Sequence, residues 1–318
     1  MATAPPSPAV FRRRRLVALG VLLLIVAGAV ALLTGFGGDD KPAKQQASAK
    51  KAAPPKLAEL PRGGRELLPD RRIVAYYGAP QDDELGALGI GTPAHAARRL
   101  ERQAKPYATP GRPVLPAMEL IAVTAAAHPG EGERYNTRQD ASIIDRYHRA
   151  ARKAKALLVL DIQPGRSDFF TEARRLKRWL KEPDVCLALD PEWRMDPGQG
   201  PGQVIGHVDA REVNAVSAWL SKLAVQRRLP QKLFLIHQFT NDMVDDTQLH
   251  PRPGLAMVLN ADGFGTRELK KVKYKAFTSS PRRFFGEGFK LFYREDTNLM
   301  TPRQVLRLKP PPDVVVYE

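Results

Sequence analysis

Eight short apolar runs, mostly separated by stretches of helical periodicity, constrain this chain more than any other feature. They are Ile73–Tyr77, Met118–Val123, Ala156–Ile162, Val185–Leu189, Leu233–Ile236, Leu255–Leu259, Phe289–Tyr293 and Val314–Tyr317. Each has the length of a strand. Between them, Thr92-Pro93, Asp140, Asp209 with Glu212, Thr266 and Thr301-Pro302 read as helix starts. A side-chain oxygen at such a position satisfies the free amides of a first turn. Phe169, Ala173, Leu176 and Leu180 recur at the spacing of one helical face. Strands alternating with helices make parallel βαβ units. Eight of them predict an α/β fold, a (β/α)8 TIM-type barrel, rather than an open doubly wound sheet. No Gly-x-Gly-x-x-Gly follows the first run, which argues against a dinucleotide-binding sheet. The chain stops at Glu318, directly after the eighth run, so the last helix is missing. Either Lys56–Leu68 or the barrel's own loops are expected to cover that gap.

Ahead of the barrel the composition changes. Arg12–Arg15 form a basic block, and Leu16–Phe36 then run 21 residues without a charge. That length crosses about 30 Å of hydrocarbon as a helix. The basic block predicts that its own end stays in the cytoplasm and that the barrel lies outside. Ala29-Val30-Ala31 offers a small-x-small cleavage site, so a cleaved signal peptide is the alternative. The apolar run continues past that site, which favours an uncleaved anchor. Residues from Gly37 to about Pro69 are rich in Pro, Gly, Lys and Ala. Such a stretch buries too little apolar surface to offset chain entropy and reads as a disordered linker. The organisation expected is therefore a cytoplasmic basic segment over 1–15, an anchor or signal peptide over 16–37, a linker over 38–69 and the barrel over 70–318.

The formal charge of +16 suggests nucleic acid until it is mapped. Residues 1–72 hold 13 basic and 5 acidic residues, a net +8, and residues 73–318 hold 37 and 29, also +8. Half the excess sits in the segment expected beside a membrane, so nucleic acid is not an expected partner. The single cysteine, Cys186, excludes a disulfide framework, a Cys-rich zinc site and an iron–sulfur cluster.

Strand side chains alternate between two faces. In Val185–Glu192 the bulky Val185, Leu187 and Leu189 should face the helices. Cys186, Ala188, Asp190 and Glu192 should face the barrel axis. The third run has the same phase in Leu157, Val159, Asp161 and Gln163, and the sixth in Ala256, Val258, Asn260 and Asp262. Carboxylates from three strands thus converge on one mouth, the face where barrel enzymes place their active sites. Asp161, Asp190, Glu192 and Asp262 are the candidate catalytic groups. Gln163, Trp193, His237, Gln238, Asn260 and Tyr293 lie near strand ends and are candidate substrate contacts. Of six histidines only His237 sits at a strand end, so no metal and no other cofactor is expected. An all-carboxylate Ca²⁺ or Mg²⁺ site from Asp161, Asp190 and Asp262 is the alternative.

Asp190-Pro191-Glu192 resembles the Asp-x-Glu motif on the fourth strand of two barrel families of glycoside hydrolases, the chitinases and the Chalaropsis-type lysozymes. The resemblance implies that Glu192 protonates a glycosidic oxygen and that Asp190 orients the substrate or stabilises the ion formed. This sequence departs from those families in carrying Ala188 where the chitinase motif has another aspartate. It has no carboxylate on the first strand, and Tyr293 stands where retaining barrels carry a strand-seven glutamate. The function expected is a membrane-tethered extracytoplasmic glycoside hydrolase acting on a cell-envelope polysaccharide such as peptidoglycan or on an environmental one. The alternative is a non-catalytic barrel that binds cell-wall glycan or serves as a scaffold.

Overall fold

The computed structural model describes residues 57–279 and 284–318. The expectations for the basic segment, the apolar span and most of the linker lie outside the described residues. Among the described residues no helix is long and apolar enough to cross a membrane.

The strands are β1 (Arg72–Gly78), β2 (Val114–Ala125), β3 (Asn136–Arg138), β4 (Leu157–Ile162), β5 (Val185–Leu189), β6 (Lys232–Gln238), β7 (Leu255–Ala261), β8 (Gly286–Leu291) and β9 (Val314–Tyr317). All but β3 form one ring of eight parallel strands. The ring closes because β1 pairs with both β2 and β9, Ile73 lying opposite Leu115 on one side and Val314 on the other. The eight apolar runs are these eight barrel strands. β3 is a short antiparallel addition to the far end of β2.

The helices are α1 (Pro93–Ala104), α2 (Ala141–Lys153), α3 (Phe169–Arg175), α4 (Lys177–Leu180), α5 (Ala210–Gln226), α6 (Arg267–Thr278) and α7 (Pro302–Val305). Thr92, Asp209, Thr266 and Thr301 each accept a first-turn amide, and Thr301 with Gln304 completes a capping box. Asp140 makes no such bond. Glu212 does not turn back on its cap either. It accepts the amide of Phe169 at 2.7 Å and pairs with Arg194. The single helix expected over Phe169–Leu180 is broken at Leu176, yet Phe169, Ala173, Leu176 and Leu180 are all buried as the periodicity requires. No α-helix lies between β6 and β7. Buried Met243, Val244 and Leu249 cover that side instead.

Alternation divides the strand residues between two apolar clusters. The outer one joins Val185, Leu187 and Leu189 of β5 to the helices. The inner one holds Leu157 and Val159 of β4, Cys186 and Ala188 of β5, and Ala256 and Val258 of β7. Removing this much apolar surface from water is the main drive for closure.

Leu60 and Leu67 belong to the inner cluster. The Leu67 and Leu68 amides donate to Gln231, ahead of β6, and Arg65 donates to the carbonyls of Arg228 and Leu229. Residues 57–69, assigned to the linker by composition, therefore pack across the N-terminal end of the barrel, and the packed domain begins ahead of residue 70. They do not cover the helix-facing side of β9. The barrel's own loops do that. Tyr107, Val305 and Leu308 lie with Val315 and Tyr317 of β9 in the outer cluster, and the Tyr107 and Tyr317 hydroxyls meet at 2.5 Å.

Candidate active site

The in-phase positions that close the inner cluster turn polar toward the C-terminal ends of the strands. Tyr77 ends β1, Glu119 lies on β2, Asp161 and Gln163 on and after β4, and Asp190 and Glu192 after β5. His237 lies on β6, Asn260 and Asp262 on and after β7, Lys290 on β8, and Glu318 after β9. Gly288 makes this layer possible. A Cβ there would lie 2.5 Å from Asn260 Oδ1 and 2.8 Å from its Cα.

Two linked networks result. In the first, His237 lies between two carboxylates, with Nε2 3.0 Å from Glu119 Oε1 and Nδ1 2.8 Å from Asp262 Oδ2. Lys290 Nζ is 3.2 Å from the same Asp262 oxygen and 2.6 Å from Glu318 Oε2. In the second, the Tyr77 hydroxyl is 3.2 Å from Asp161 Oδ2 and 3.4 Å from Asp190 Oδ2, and it accepts from Gln163 Nε2 at 2.9 Å. Lys290 joins the two, its ammonium lying 4.0 Å from the centroid of the Tyr77 ring.

These surroundings separate the protonation states. Burial opposes charge on Asp262, but the Lys290 charge and the His237 hydrogen bond prevail and hold it below its ordinary value. Burial likewise acts against charge on His237 and Lys290. Hydrogen bonds to Asp262 and Glu119 raise His237 well above its ordinary value, and the Asp262 and Glu318 charges raise Lys290. Burial pushes Asp161 up to about 7. Burial, with the charges of Asp161 and Glu192, carries Asp190 well above the usual carboxylate range. Glu192 is raised by burial and then by the charge of Asp262.

Above this layer opens a cavity of about 280 Å³, bounded by Tyr77, Gln163, Asp190, Glu192, Trp193, Asp262, Phe264, Lys290 and Glu318 among others. Glu192 and Trp193 also bound a second cavity of about 270 Å³, whose other wall is Gly202–Ile205. Both residues sit on a short 3₁₀ turn, Pro191–Trp193, directly after β5. That turn is clamped. The Gly206 amide donates to the Glu192 carbonyl at 2.7 Å, and a Cβ on Gly206 would lie 2.4 Å from the Arg194 carbonyl oxygen. The Glu192 carboxyl stays outside the ion pairs of the mouth, whereas Asp262 and Glu318 are held by Lys290. Neither neighbouring arginine takes hold of the Asp-Pro-Glu acids. Arg194 pairs with Glu212, and Arg166 stacks on Tyr135 and donates to the Gln199 carbonyl.

Of the acids expected at the mouth, Asp190, Glu192 and Asp262 border the main cavity, while Asp161 is fully buried one layer beneath it. Gln163 and Trp193 also border it. His237 and Asn260 lie in the buried layer rather than on the cavity wall. Gln238 is in phase with Phe234 and Ile236, which face the helices, so alternation turns it away from the axis. Tyr293 also lies elsewhere. It stacks on Tyr317 at 5.2 Å and its hydroxyl bonds Gln103, outside the barrel. The residues that sequence reasoning missed are Glu119 and Lys290. Each is a lone charge inside an apolar run, Met118–Val123 and Phe289–Tyr293, and in the phase of the inward face, which is the signal that was available. A larger cavity of about 860 Å³ lies between α1, α2 and residues 61–63, over Ala97 and Ala150, away from these groups.

No protein-family profile matches the chain. No curated protein matches it either. Among solved structures, it is similar to the beta-glucuronidase of Parabacteroides merdae at 13% identity and a TM-score of 0.31. The match covers 69% of this chain and 23% of that one, so the chain spans about a quarter of that protein's length.

Proposed function

We propose that the protein is a membrane-tethered, extracytoplasmic glycoside hydrolase in which Glu192 is the general acid. The observation that carries this reading is the position of Glu192. Its carboxyl is drawn toward the protonated form, stands free of ion pairs, and borders two adjoining cavities at the mouth of a closed barrel. A glycosidic oxygen lying between a sugar in one cavity and its leaving group in the other would meet that acid. Glycoside cleavage needs one carboxyl that holds a proton and one that stays ionised. Asp262, held by Lys290, His237 and the Gly263 amide, is the carboxyl that stays ionised. Trp193 offers a flat apolar face beside the acid, and Gln163 can bond hydroxyls. The small volume of the main cavity, about 280 Å³, suits one terminal sugar better than a run of several. The Arg12–Arg15 block and the apolar run behind it support the tethered, outward-facing placement, and with it an envelope polysaccharide such as peptidoglycan as substrate.

The test is hydrolysis of chromogenic α- and β-glycosides, chitin oligosaccharides and purified peptidoglycan by the full chain and by Glu192→Gln. Wild-type turnover that falls about 10²–10⁴-fold in the variant supports the assignment. Full activity in Glu192→Gln removes the proposed acid. A second reading, a barrel that binds glycan without cutting it, is favoured by the engagement of Asp262 and Glu318 with Lys290. Wild-type protein that is inert across the panel but retains peptidoglycan on pull-down selects it.

A further inference from the structure

The polar layer beneath the cavity is out of balance. Four buried acids, Glu119, Asp161, Asp190 and Asp262, face two buried cations, His237 and Lys290, so two of the acids need a proton or a further cation. Orphaned acceptors accompany the imbalance. Glu119 Oε2 and Asp161 Oδ1 are buried without a hydrogen-bond partner, on side chains that are 1% and 0% exposed. Buried charge demands a counter-charge, and buried acceptors demand donors or a cation. Two protons would restore neutrality, as would one proton together with a divalent ion that displaces the His237 Nε2 proton.

The arrangement of donors selects between them. Glu119, Asp161 and His237 each present one ligand-type atom, and these atoms all lie within 4.8 Å of one another. His237 Nε2 and Glu119 Oε1 are 3.0 Å apart. Two donors about 2.1 Å from a common ion and at right angles to each other stand about 3.0 Å apart. The other ring nitrogen, Nδ1, is fixed 2.8 Å from Asp262 Oδ2, the arrangement that orients a metal-binding imidazole from its far side. We propose that Glu119, Asp161 and His237 form a seat for one divalent transition-metal ion of the Zn²⁺ or Mn²⁺ class beneath the floor of the mouth cavity. One imidazole with two carboxylates suits these ions, whereas Ca²⁺ takes six to eight oxygens. The ion displaces the His237 Nε2 proton to solvent, so it adds one net positive charge to the layer, and it engages the orphaned oxygens. It lies under Tyr77, whose hydroxyl contacts Asp161 and whose ring borders the cavity. This seat departs from the expectation that the chain holds no metal, and it is independent of whether the cavity cleaves glycosides.

The test uses the full chain, stripped with a chelator and titrated calorimetrically with Zn²⁺ and with Mn²⁺. One equivalent is expected to bind, and Asp161→Asn and Glu119→Gln should each weaken binding at least about tenfold. Asp145→Asn, which alters an acid paired with Arg178 on the surface, should leave binding unchanged. X-ray absorption of the Zn²⁺-loaded wild-type chain should show outer-shell scattering from a single imidazole, a readout that stands even where a variant fails to fold. The proposal is overturned by the absence of a saturable equivalent. It is equally overturned by wild-type spectra without imidazole scattering, or by binding that both folded variants retain in full.

Discussion

Replacing Lys290 by methionine keeps the length and apolar stem of the side chain and removes its charge from the centre of the barrel. Lys290 is 4% exposed and pairs with Asp262, whose side chain is 6% exposed, and with Glu318, at 24%. Glu318 can turn toward water, so the main loss is the cation beside Asp262. Removing one partner of a buried pair costs about 3–5 kcal/mol, because the remaining charge stays desolvated. In a domain of this size each kcal/mol moves Tm by about 2–4 °C, so a fall of about 6–20 °C is expected at pH 7.5. The effect carries a sign in pH. Asp262 lies below its ordinary value in the folded chain, with Lys290 the largest of the influences that hold it there. The stability it contributes is therefore present above the unfolded carboxylate value of about 3.9 and is lost as pH falls through the folded one. Lys290 is raised, so its own contribution is complete throughout this range and is lost only above about pH 10. The gap between wild type and Lys290→Met should thus persist from neutral pH down to about pH 4 and narrow below it. Thermal unfolding of both full chains, followed by circular dichroism at pH 7.5 and at about pH 2.5, measures it. A variant within about 2 °C of wild type at pH 7.5, or an equal deficit at both pH values, refutes the reasoning. Adding Asp262→Asn to Lys290→Met should recover part of the loss, since the buried carboxylate left with His237 as its one cation is then neutral.

Three further outcomes are expected. Glycosidase activity should fall as pH rises through the raised Glu192 value, because the acid must carry its proton, and a rate that climbs steadily to pH 9 would contradict the role given to it. Leu67→Ala should cost about 2–5 kcal/mol in denaturant unfolding, since Leu67 is fully buried in the inner cluster; a change under about 0.5 kcal/mol would mean that residues 57–69 do not close the barrel. Cys186 is buried, and burial pushes its thiol up to about 11, so the native chain should resist an aromatic disulfide reagent and release one equivalent only in guanidinium.

Period-two alternation and the spacing of apolar runs are local properties, so the amino-acid sequence by itself determined the strand set, the barrel and the inward phase of β4, β5 and β7. It also placed Asp161, Asp190, Glu192 and Asp262 on that phase. Composition misjudged residues 57–69, because four leucines among prolines and arginines give no periodic signal until the barrel end they cover exists. Gln238 and Tyr293 were assigned by nearness to a strand end, where side-chain phase decides the direction. Glu119 and Lys290, lone charges within apolar runs, were passed over because nothing local names a partner for them. Only the tertiary structure decided that they meet His237, Asp262 and Glu318, which come from other strands of the ring. Ion pairing and burial depend on through-space distance between residues far apart in the chain, and no local pattern encodes that distance.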